Sequence, residues 1–598
     1  MLEEFLNAVR APVRQKDAEQ LRNILLVEPP LPPIYDEVVR VLRARYPKGN
    51  DGELSALCEN LAPPHPEGGS SWSAFGEVVR RYLVFLRDFD QNNYLNIYNT
   101  LHALLNQCNI ALSDSAYGVV VLPTVLYLTK VLAKFAVALD KNPEIITAQQ
   151  HGQSRGGGDS AIEKVGYVES SANVVRDAFI KCLADKSGTG GLAGPGRKGK
   201  PENKRVGIYQ TANFCLRLLF QCRKLRNAEQ MFVSIDNQSP PLSFYPVAQQ
   251  VTFLYYLGRY HFANNHFYRA QLALQEAYNK CHRDALKQKR LILIYMITSN
   301  MCLGRFPSSS LLSRSEAAGL DQYFLPLCRL ISKGDIIGFR KFLDLDSPQS
   351  SWFLKFRILL QLRDRCEVLV WRSLVRRVFV VAGYKSEDGK GMPFLRLSYI
   401  QVAVGVLQRQ SSTPSFHQLQ QANGDTFNTE FHPEFQSILP AAQEKAFDLE
   451  NGYYLDSSSN NNITLPPSLQ IPQQPSSSSS SQIPTISEIE SILSSLIQQD
   501  LLNGFITHDN PRFAIPGAKV RGALATGFPN IWDVVKRRAD ENGGEDGVPG
   551  WVREARKGGF GAGGGGGVMT GGGGGGGGGR VVNLSGARPV GIGAVAGS

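Results

Sequence analysis

Residues 485–516 read TISEIESILSSLIQQDLLNGFITHDNPRFAIP. Ile486, Ile489, Leu493, Leu496 and Ile497 fall at i, i+3, i+7, i+10 and i+11, the apolar stripe of an amphipathic helix. Thr485 and Glu488 are spaced as a capping box, in which each side chain accepts one of the free amide protons at the helix start. Asn503-Gly504 suits the helix end, because glycine reaches the left-handed region without steric cost. Two short runs, 505–507 and 512–515, flank the turn residues His508-Asp509-Asn510-Pro511, which is hairpin chemistry. A helix closed by a small hairpin is the second half of a winged helix. The same residues also suit any helix plus hairpin at a domain edge.

The missing half lies upstream. Residues 351–383 form one long basic helix, with Trp352, Phe353, Phe356, Leu359 and Leu360 and then Leu369, Leu374, Val375, Val378 and Phe379 along its apolar face. Residues 393–397 read as a strand and 398–407 as a helix. The order is therefore helix, strand, helix, helix, hairpin. Between Trp352 and Ile400 stand ten Lys or Arg against four acids. The two halves are separated by 409–484, a polar insert containing PQQPSSSSSSQ, which by composition is a disordered loop. Within it, 431–455 could hold a transient helix.

Ahead of the winged helix the chain is helix upon helix. Residues 256–278 read YLGRYHFANNHFYRAQLALQEAY, and Leu257-Gly258, Phe267, Ala270, Leu274 and Ala277 have the spacing of a tetratricopeptide helix pair. Small residues at 258, 270 and 277 let two helices approach closely, and one such pair must stack on neighbours to bury its face. A looser pair precedes it at 206–235. The helix at 288–303 is apolar nearly all round and so reads as buried. Shorter helices follow at 321–330 and 335–343. Upstream, helices are expected from Leu2, Phe5, Leu6 and Val9 and over 37–46, 75–89, 94–105 and 119–139. Glycine-rich linkers at 148–160 and 186–203 flank a short helix at 171–184.

The 598 residues carry a net charge of +11, which favours acidic partners. Nine cysteines form no CxxC and sit mostly in apolar stretches, so they read as buried reduced thiols of an intracellular protein rather than a disulfide framework or zinc site. The N-terminus, with Glu3 and Glu4, is no secretory signal. The apolar run 118–139 is interrupted by Pro123, Lys130 and Lys134 and reads as a core helix rather than a membrane span. GPGRKGK at 194–200 fits a phosphate-loop pattern, but Pro201 stands where a Mg²⁺-binding hydroxyl belongs and no strand precedes it. The nine histidines form no catalytic constellation, and His261 and His266 fit packing or capping roles. No cofactor and no enzymatic chemistry is expected.

Helical repeats ending in a winged helix resemble the PCI domain. Residues 248–301 are similar, more narrowly, to the family of COP-nine signalosome subunit twelve, which includes the PCI subunit of the TREX-2 mRNA export complex. The resemblance rests on Tyr255-Tyr256-Leu257-Gly258-Arg259, on Ala277-Tyr278 with Cys281-His282-Arg283, and on Lys289-Arg290 with Leu291-Ile292-Leu293-Ile294-Tyr295. Gly334-Asp335, Arg372-Ser373-Leu374 and Gly504-Phe505-Ile506 with His508 also fit. It covers roughly 75–410 and 485–516; the insert, the linkers and the glycine-rich tail depart from the pattern.

The implied fold is an all-α, tetratricopeptide-like helical-repeat solenoid capped by a winged helix. Its segments are an N-terminal helical region (1–147), a short helix between linkers (148–203), the PCI repeats (204–350), the winged-helix part (351–408 and 485–516), the insert (409–484) and a disordered Gly-rich tail (541–598). A short helix at 530–538 is the only ordered element expected after 517. The resemblance implies a non-catalytic nuclear subunit joined to a Sac-three/GANP-type scaffold and a small acidic DSS-one/Sem-one-type protein, and through them to the nuclear pore. It also implies a basic platform for RNA or DNA. The residues placed on that platform are Lys355, Arg357, Arg372, Arg376, Arg377 and Arg396, with Arg372 and Arg376 sharing a helix face at i, i+4. Such contacts give affinity without sequence specificity. A second basic region, Lys204, Arg205, Arg217, Arg223, Lys224 and Arg226, is a solvated helix face or meets the acidic partner, chiefly through Arg217, Arg223 and Lys224. The basic clusters at 536–538 and 197–205 resemble weak import signals. The alternative function is a signalosome-like or splicing-linked interaction subunit that does not touch nucleic acid.

Overall fold

The computed structural model describes residues 2–49, 51–59, 61, 72–142, 166–185, 201, 203–384, 391–412 and 483–541, all within one unit, Met1–Val552. The linker segments 148–160 and 186–200, the insert residues 413–482 with their 431–455 segment, and the tail beyond 541 lie outside the described residues.

Sequence periodicity becomes a stack of helices in chain order. The first seven are α1 (Leu2–Gln15), α2 (Ala18–Ile24), α3 (Pro33–Arg45), α4 (Asp51–Glu59), α5 (Ser73–Asp88), α6 (Tyr94–Leu112) and α7 (Gly118–Lys141), followed by α8 (Tyr167–Leu183). Helix α7 is long and apolar enough to cross a membrane, but more than half of its most apolar window is buried, packed against α2, α6 and α8. Asp140, at its end, accepts the first amides of α8, Tyr167 N at 3.0 Å and Val168 N at 3.1 Å.

The repeats follow as α9 (Ile208–Gln221), α10 (Leu225–Gln238), α11 (Val247–Ala263), α12 (Phe267–Lys280) and α13 (Leu286–Cys302). A Cβ on Gly258 would stand 2.5 Å from Leu274 Cγ, so the small residue there is what lets α11 and α12 close on each other. Asn265, at φ 61°, reverses the chain between them. The all-round apolar reading of α13 holds: every residue from 292 to 299 is buried. Its hydroxyls are satisfied within the helix, Thr298 Oγ1 on Ile294 O and Ser299 Oγ on Tyr295 O, both at 2.8 Å.

Short helices α14 (Ser309–Leu312), α15 (Asp321–Lys333), α16 (Ile336–Phe342) and α17 (Ser350–Lys355) lead into α18 (Leu359–Ala382). The expected single helix over 351–383 is thus two. The break is at Arg357, held at φ 55°, with the Phe356 carbonyl accepting from Tyr295 Oη at 3.0 Å. Amphipathic periodicity runs through such a break unchanged, so the pattern alone cannot reveal it.

Strand β1 (Phe394–Arg396), α19 (Leu397–Ser412), α20 (Ile486–Gln498), β2 (Phe505–Thr507) and β3 (Arg512–Ala514) complete the winged helix. The sheet is antiparallel in the order β1-β3-β2, with Leu395 opposite Phe513 and Ile506 opposite Phe513. Leu395, Phe513, Ile489, Leu493, Leu496 and Ile400 form its core, all 0–1% exposed. The Thr485–Glu488 capping box is present in both directions. Helix α20 ends at Gln498, earlier than Asn503-Gly504 suggested, and the left-handed residue after it is Asp500 at φ 57°. Gly504 serves another purpose: a Cβ there would run into the Ala514 carbonyl and, at 2.6 Å, the Phe513 ring. The chain on either side of the insert is pinned together, Gln401 Nε2 donating to Pro484 O at 3.1 Å.

The packed structure does not stop at 516. Three further helices, α21 (Ala518–Arg521), α22 (Ala523–Gly527) and α23 (Ile531–Glu541), fold back as a strap. Phe528 inserts against Phe379 and Phe513, with ring centroids 5.6 and 6.3 Å apart. Ile531 packs on Gly304, and Trp532 lies under the Arg305 guanidinium at 4.4 Å. The strap therefore ties the winged helix to the repeats. Its apolar residues are too few and too widely spaced to give a periodic signal.

Candidate nucleic-acid and partner interfaces

The structure separates the arginines of the basic helix. Arg372 is 9% exposed. Its Nε donates to Leu501 O at 3.1 Å and its Nη2 to Pro529 O. Burial, with the like charge of Arg376 adding to it, lowers its pKa to about 10. Arg372 is therefore a strut between α18, the α20–β2 loop and the strap, and its placement on the phosphate-facing surface is corrected. Helical spacing put Arg372 and Arg376 on one side; the chain that covers Arg372 does not cover Arg376, which is exposed.

Arg377 is exposed but donates to Lys333 O at 2.9 Å, capping the last turn of α15. Lys355 is half-buried and Arg357 exposed, beside the break before α18. Nineteen residues of mostly helical chain separate Arg357 from Arg376, roughly 28 Å at 1.5 Å per residue. The six residues therefore do not converge on one point.

Arg396 is exposed on the edge strand β1, directly opposite Arg512 of β3. Neither has a carboxylate partner among the described residues. The Arg512 guanidinium lies over the Phe394 ring at 4.5 Å, with its Nε buried and unpaired. Two like charges directly opposed across a ladder repel. An anion bound between them would relieve that repulsion. Sequence reading singled out Arg396 and missed Arg512; the hairpin register that pairs them was the missing signal. Thr507 Oγ1 closes the hairpin turn on Asn510 O at 2.6 Å, and His508 Nδ1 lies 3.1 Å from Glu490 Oε2.

The second basic region also divides. Lys204 is buried, with Nζ 3.3 Å from Ser113 O and 4.0 Å from Asp185 Oδ1, so it is a core tie rather than a surface cation. Arg205 donates to Gln238 O at 2.6 Å. Arg223, exposed at φ 63°, and Lys224, which reaches Glu169 at 3.3 Å, stand at the α9–α10 turn. Arg217 is half-buried and faces a cavity on the other side of α9.

The polar residues that carried the family resemblance are mostly internal ties. Arg259 sits among the Phe220, Tyr255 and Tyr295 rings at 5.0, 5.4 and 5.0 Å. Tyr278 donates to Glu316 Oε1 at 2.6 Å and accepts from Arg314 at 2.8 Å, while Arg290 donates to Ala318 O at 2.6 Å. His261 is buried with both ring nitrogens unpaired, and burial pushes its pKa down to about 3. Among the described residues no cluster of three or more His, Cys, Asp or Glu could hold a metal ion, and all nine cysteines are free.

A helical-repeat solenoid capped by a winged helix defines a PCI-domain protein. Comparison with known proteins points the same way. The chain is 30% identical over 255 residues to a PCI domain-containing protein of Schizosaccharomyces pombe, covering 43% of this chain and 54% of the relative. It is 27% identical over 339 residues to a CSN12 homolog of Neurospora crassa (56% and 70%). It is 28% identical over 246 residues to PCI domain-containing protein 2 of Danio rerio (41% and 56%). No protein-family model matches. The chain spans about half the length of the Schizosaccharomyces and Danio relatives. These matches support a PCI-domain protein similar to PCI domain-containing protein 2 and the CSN12 homologues.

Proposed function

We propose that this chain is a non-catalytic PCI subunit of a nuclear complex. It joins a scaffold protein and a small acidic protein, and offers the basic surface of its winged helix to RNA or DNA, coupling transcription to mRNA export. The observation that carries the nucleic-acid part is the opposed pair Arg396 and Arg512 on the β1-β3-β2 sheet, without a carboxylate partner among the described residues. Arg376, Lys355 and Arg357 add further positive charge along the same subdomain. Arg223 and Lys224 remain candidates for an acidic protein partner, and so does Arg217.

The test is fluorescence anisotropy of the full chain with labelled single-stranded RNA and duplex DNA across a salt series. A steep fall of affinity with salt, reduced in an Arg396→Gln/Arg512→Gln variant, supports the reading. The alternative, a signalosome-like or splicing-linked interaction subunit, draws on Arg372 and Arg377 being engaged by the chain itself. Salt-insensitive or undetectable nucleic-acid binding by the assembled complex would favour it.

A further inference from the structure

The register of the winged-helix sheet sorts its side chains into two faces, because successive residues of a strand point to opposite sides. Leu395, Phe513 and Ile506 stand in one row and turn inward; Leu395 and Phe513 are fully buried. The remaining residues form the outward face. Tyr384 bridges to Phe394, its N donating to Phe394 O at 2.9 Å. Phe394 is opposite Ala514, and Ala514 is opposite Phe505. The next row holds Arg396, Arg512 and Thr507. Tyr384 and Phe505, at the two margins, are 51% and 44% exposed.

This face is aromatic and cationic at once. The Tyr384 and Phe394 rings stack with centroids 5.0 Å apart and 27° between their planes, and the Arg512 guanidinium lies over the Phe394 ring at 4.5 Å. Phe394 and Phe505 stand two strand spacings apart, about 10 Å. Neither row contains a carboxylate. Flat rings beside guanidinium groups on an open sheet suit flat groups strung on an anionic chain: bases stack on the rings, and phosphates meet the arginines. In a duplex the bases already stack on one another and present no free face, so a duplex meets the arginines alone.

Helix α20 is unsuited to reading a duplex groove. It occupies the place of the groove-reading helix in helix-turn-helix folds. Yet no Lys or Arg occurs from Thr485 to Asn503, and its exposed positions include Glu488, Ser491 and Ser494. Such a face lacks the cations that neutralise phosphates along a groove.

We propose that the outward sheet face is a stacking platform for unpaired bases of single-stranded RNA. Tyr384 and Phe505 take the bases, and Arg396 and Arg512 take the phosphates between them. This rests on the functional reading in one respect, that nucleic acid meets the winged helix, and adds which form of it binds and by which residues.

The test is anisotropy of the full chain with a fluorescein-labelled, unstructured RNA of about 12 nucleotides. The same strand is also offered paired to its complement, with abasic sites in place of its bases, and as DNA. The wild type is expected to bind the intact single strand at least tenfold more tightly than the duplex or the abasic strand. The DNA strand is expected within threefold of the RNA, because stacking and phosphate contacts are common to both. Tyr384→Leu/Phe505→Leu is expected to weaken the single strand at least tenfold at an unchanged salt slope, whereas Arg396→Gln/Arg512→Gln lowers the slope. Both aromatic positions are exposed, so the wild-type melting temperature is expected to persist; the abasic strand tests stacking on the wild type without any substitution. A duplex or an abasic strand bound as tightly as the intact strand, or an aromatic variant with wild-type affinity, would overturn the platform. Steep salt dependence in that case would leave the basic winged-helix surface standing. Binding confined to the DNA strand would overturn the assignment to RNA. Absence of salt-sensitive binding to every strand would remove the functional reading and the platform together.

Discussion

The Nε of Arg372 donates to the main-chain oxygen of Leu501 at 3.1 Å, bridging residues 129 positions apart. The same guanidinium reaches Pro529 O, so one side chain joins the basic helix, the winged helix and the strap. Arg372→Ala strands two carbonyls and is expected to lower unfolding free energy by roughly 2–4 kcal/mol. Arg372→Lys recovers little of it, because an ammonium cannot reproduce the planar fork. Urea denaturation checks the stability, and RNA anisotropy on the folded fraction is expected to stay within twofold of wild type.

Gly334 sits at φ 69°, ending α15, and a Cβ there would collide with the backbone of Leu374. Gly334→Ala combines left-handed strain with an immovable neighbour. A loss of about 2–3 kcal/mol is expected, read as a shifted urea midpoint at unchanged slope. A variant as stable as wild type would show that α15 and α18 are not held this closely in solution.

Arg396→Gln/Arg512→Gln removes an opposed pair of like charges. Folding stability is expected to rise slightly, by roughly 0.5 kcal/mol. Single-stranded RNA affinity is expected to fall about tenfold, and the salt slope by roughly 0.7 for each phosphate no longer neutralised. Higher stability with weaker binding is the signature of a functional pair. A decline in both, or in neither, would argue against it.

His261 titrates at about 3 in the fold because burial disfavours its charged form, with Arg269 and His266 adding to the effect. Its folded-state pKa lies below the ordinary histidine value, so the unfolded chain binds the proton first. Its contribution is complete above about pH 6.5 and is lost as pH falls toward 3, at up to about 1.4 kcal/mol per pH unit. His261→Leu should therefore narrow the stability difference between pH 7 and pH 5, measured by urea midpoints at each pH. Identical pH dependence in both proteins would rule the buried imidazole out as a source of acid sensitivity.

Local chemistry was legible wherever one residue's neighbours along the chain decide its state. The Thr485–Glu488 capping box, the hairpin after it and the Gly258–Leu274 approach all follow from spacing and side-chain size. The break at Arg357 was not legible, because the apolar stripe continues through it. Nor was the end of α20, where Asp500 rather than a glycine takes the left-handed position. The helix expected at 530–538 is present as α23 (Ile531–Glu541), but the rest of the strap beyond Gly517 and its docking were missed, because that packing is made residue by residue, Phe528 on Phe379 and Trp532 beneath Arg305, with no period to reveal it.

The sites divide in the same way. Charge is a property of composition, so an excess of arginine around the winged helix could be counted directly. Which arginine meets solvent depends on what lies across it. Arg372 and Arg376 share one helix face, yet only Arg372 is covered, by chain more than a hundred residues later. Arg512 gains its partner Arg396 only through the register of β1 on β3. Sequence alone determined the helices, the winged-helix order and the basic balance, because these arise from periodicity, capping and side-chain type within a few turns of chain. Tertiary structure decided which charges are struts and which face solvent, because burial and opposition are set by segments distant in sequence that meet only when the core closes.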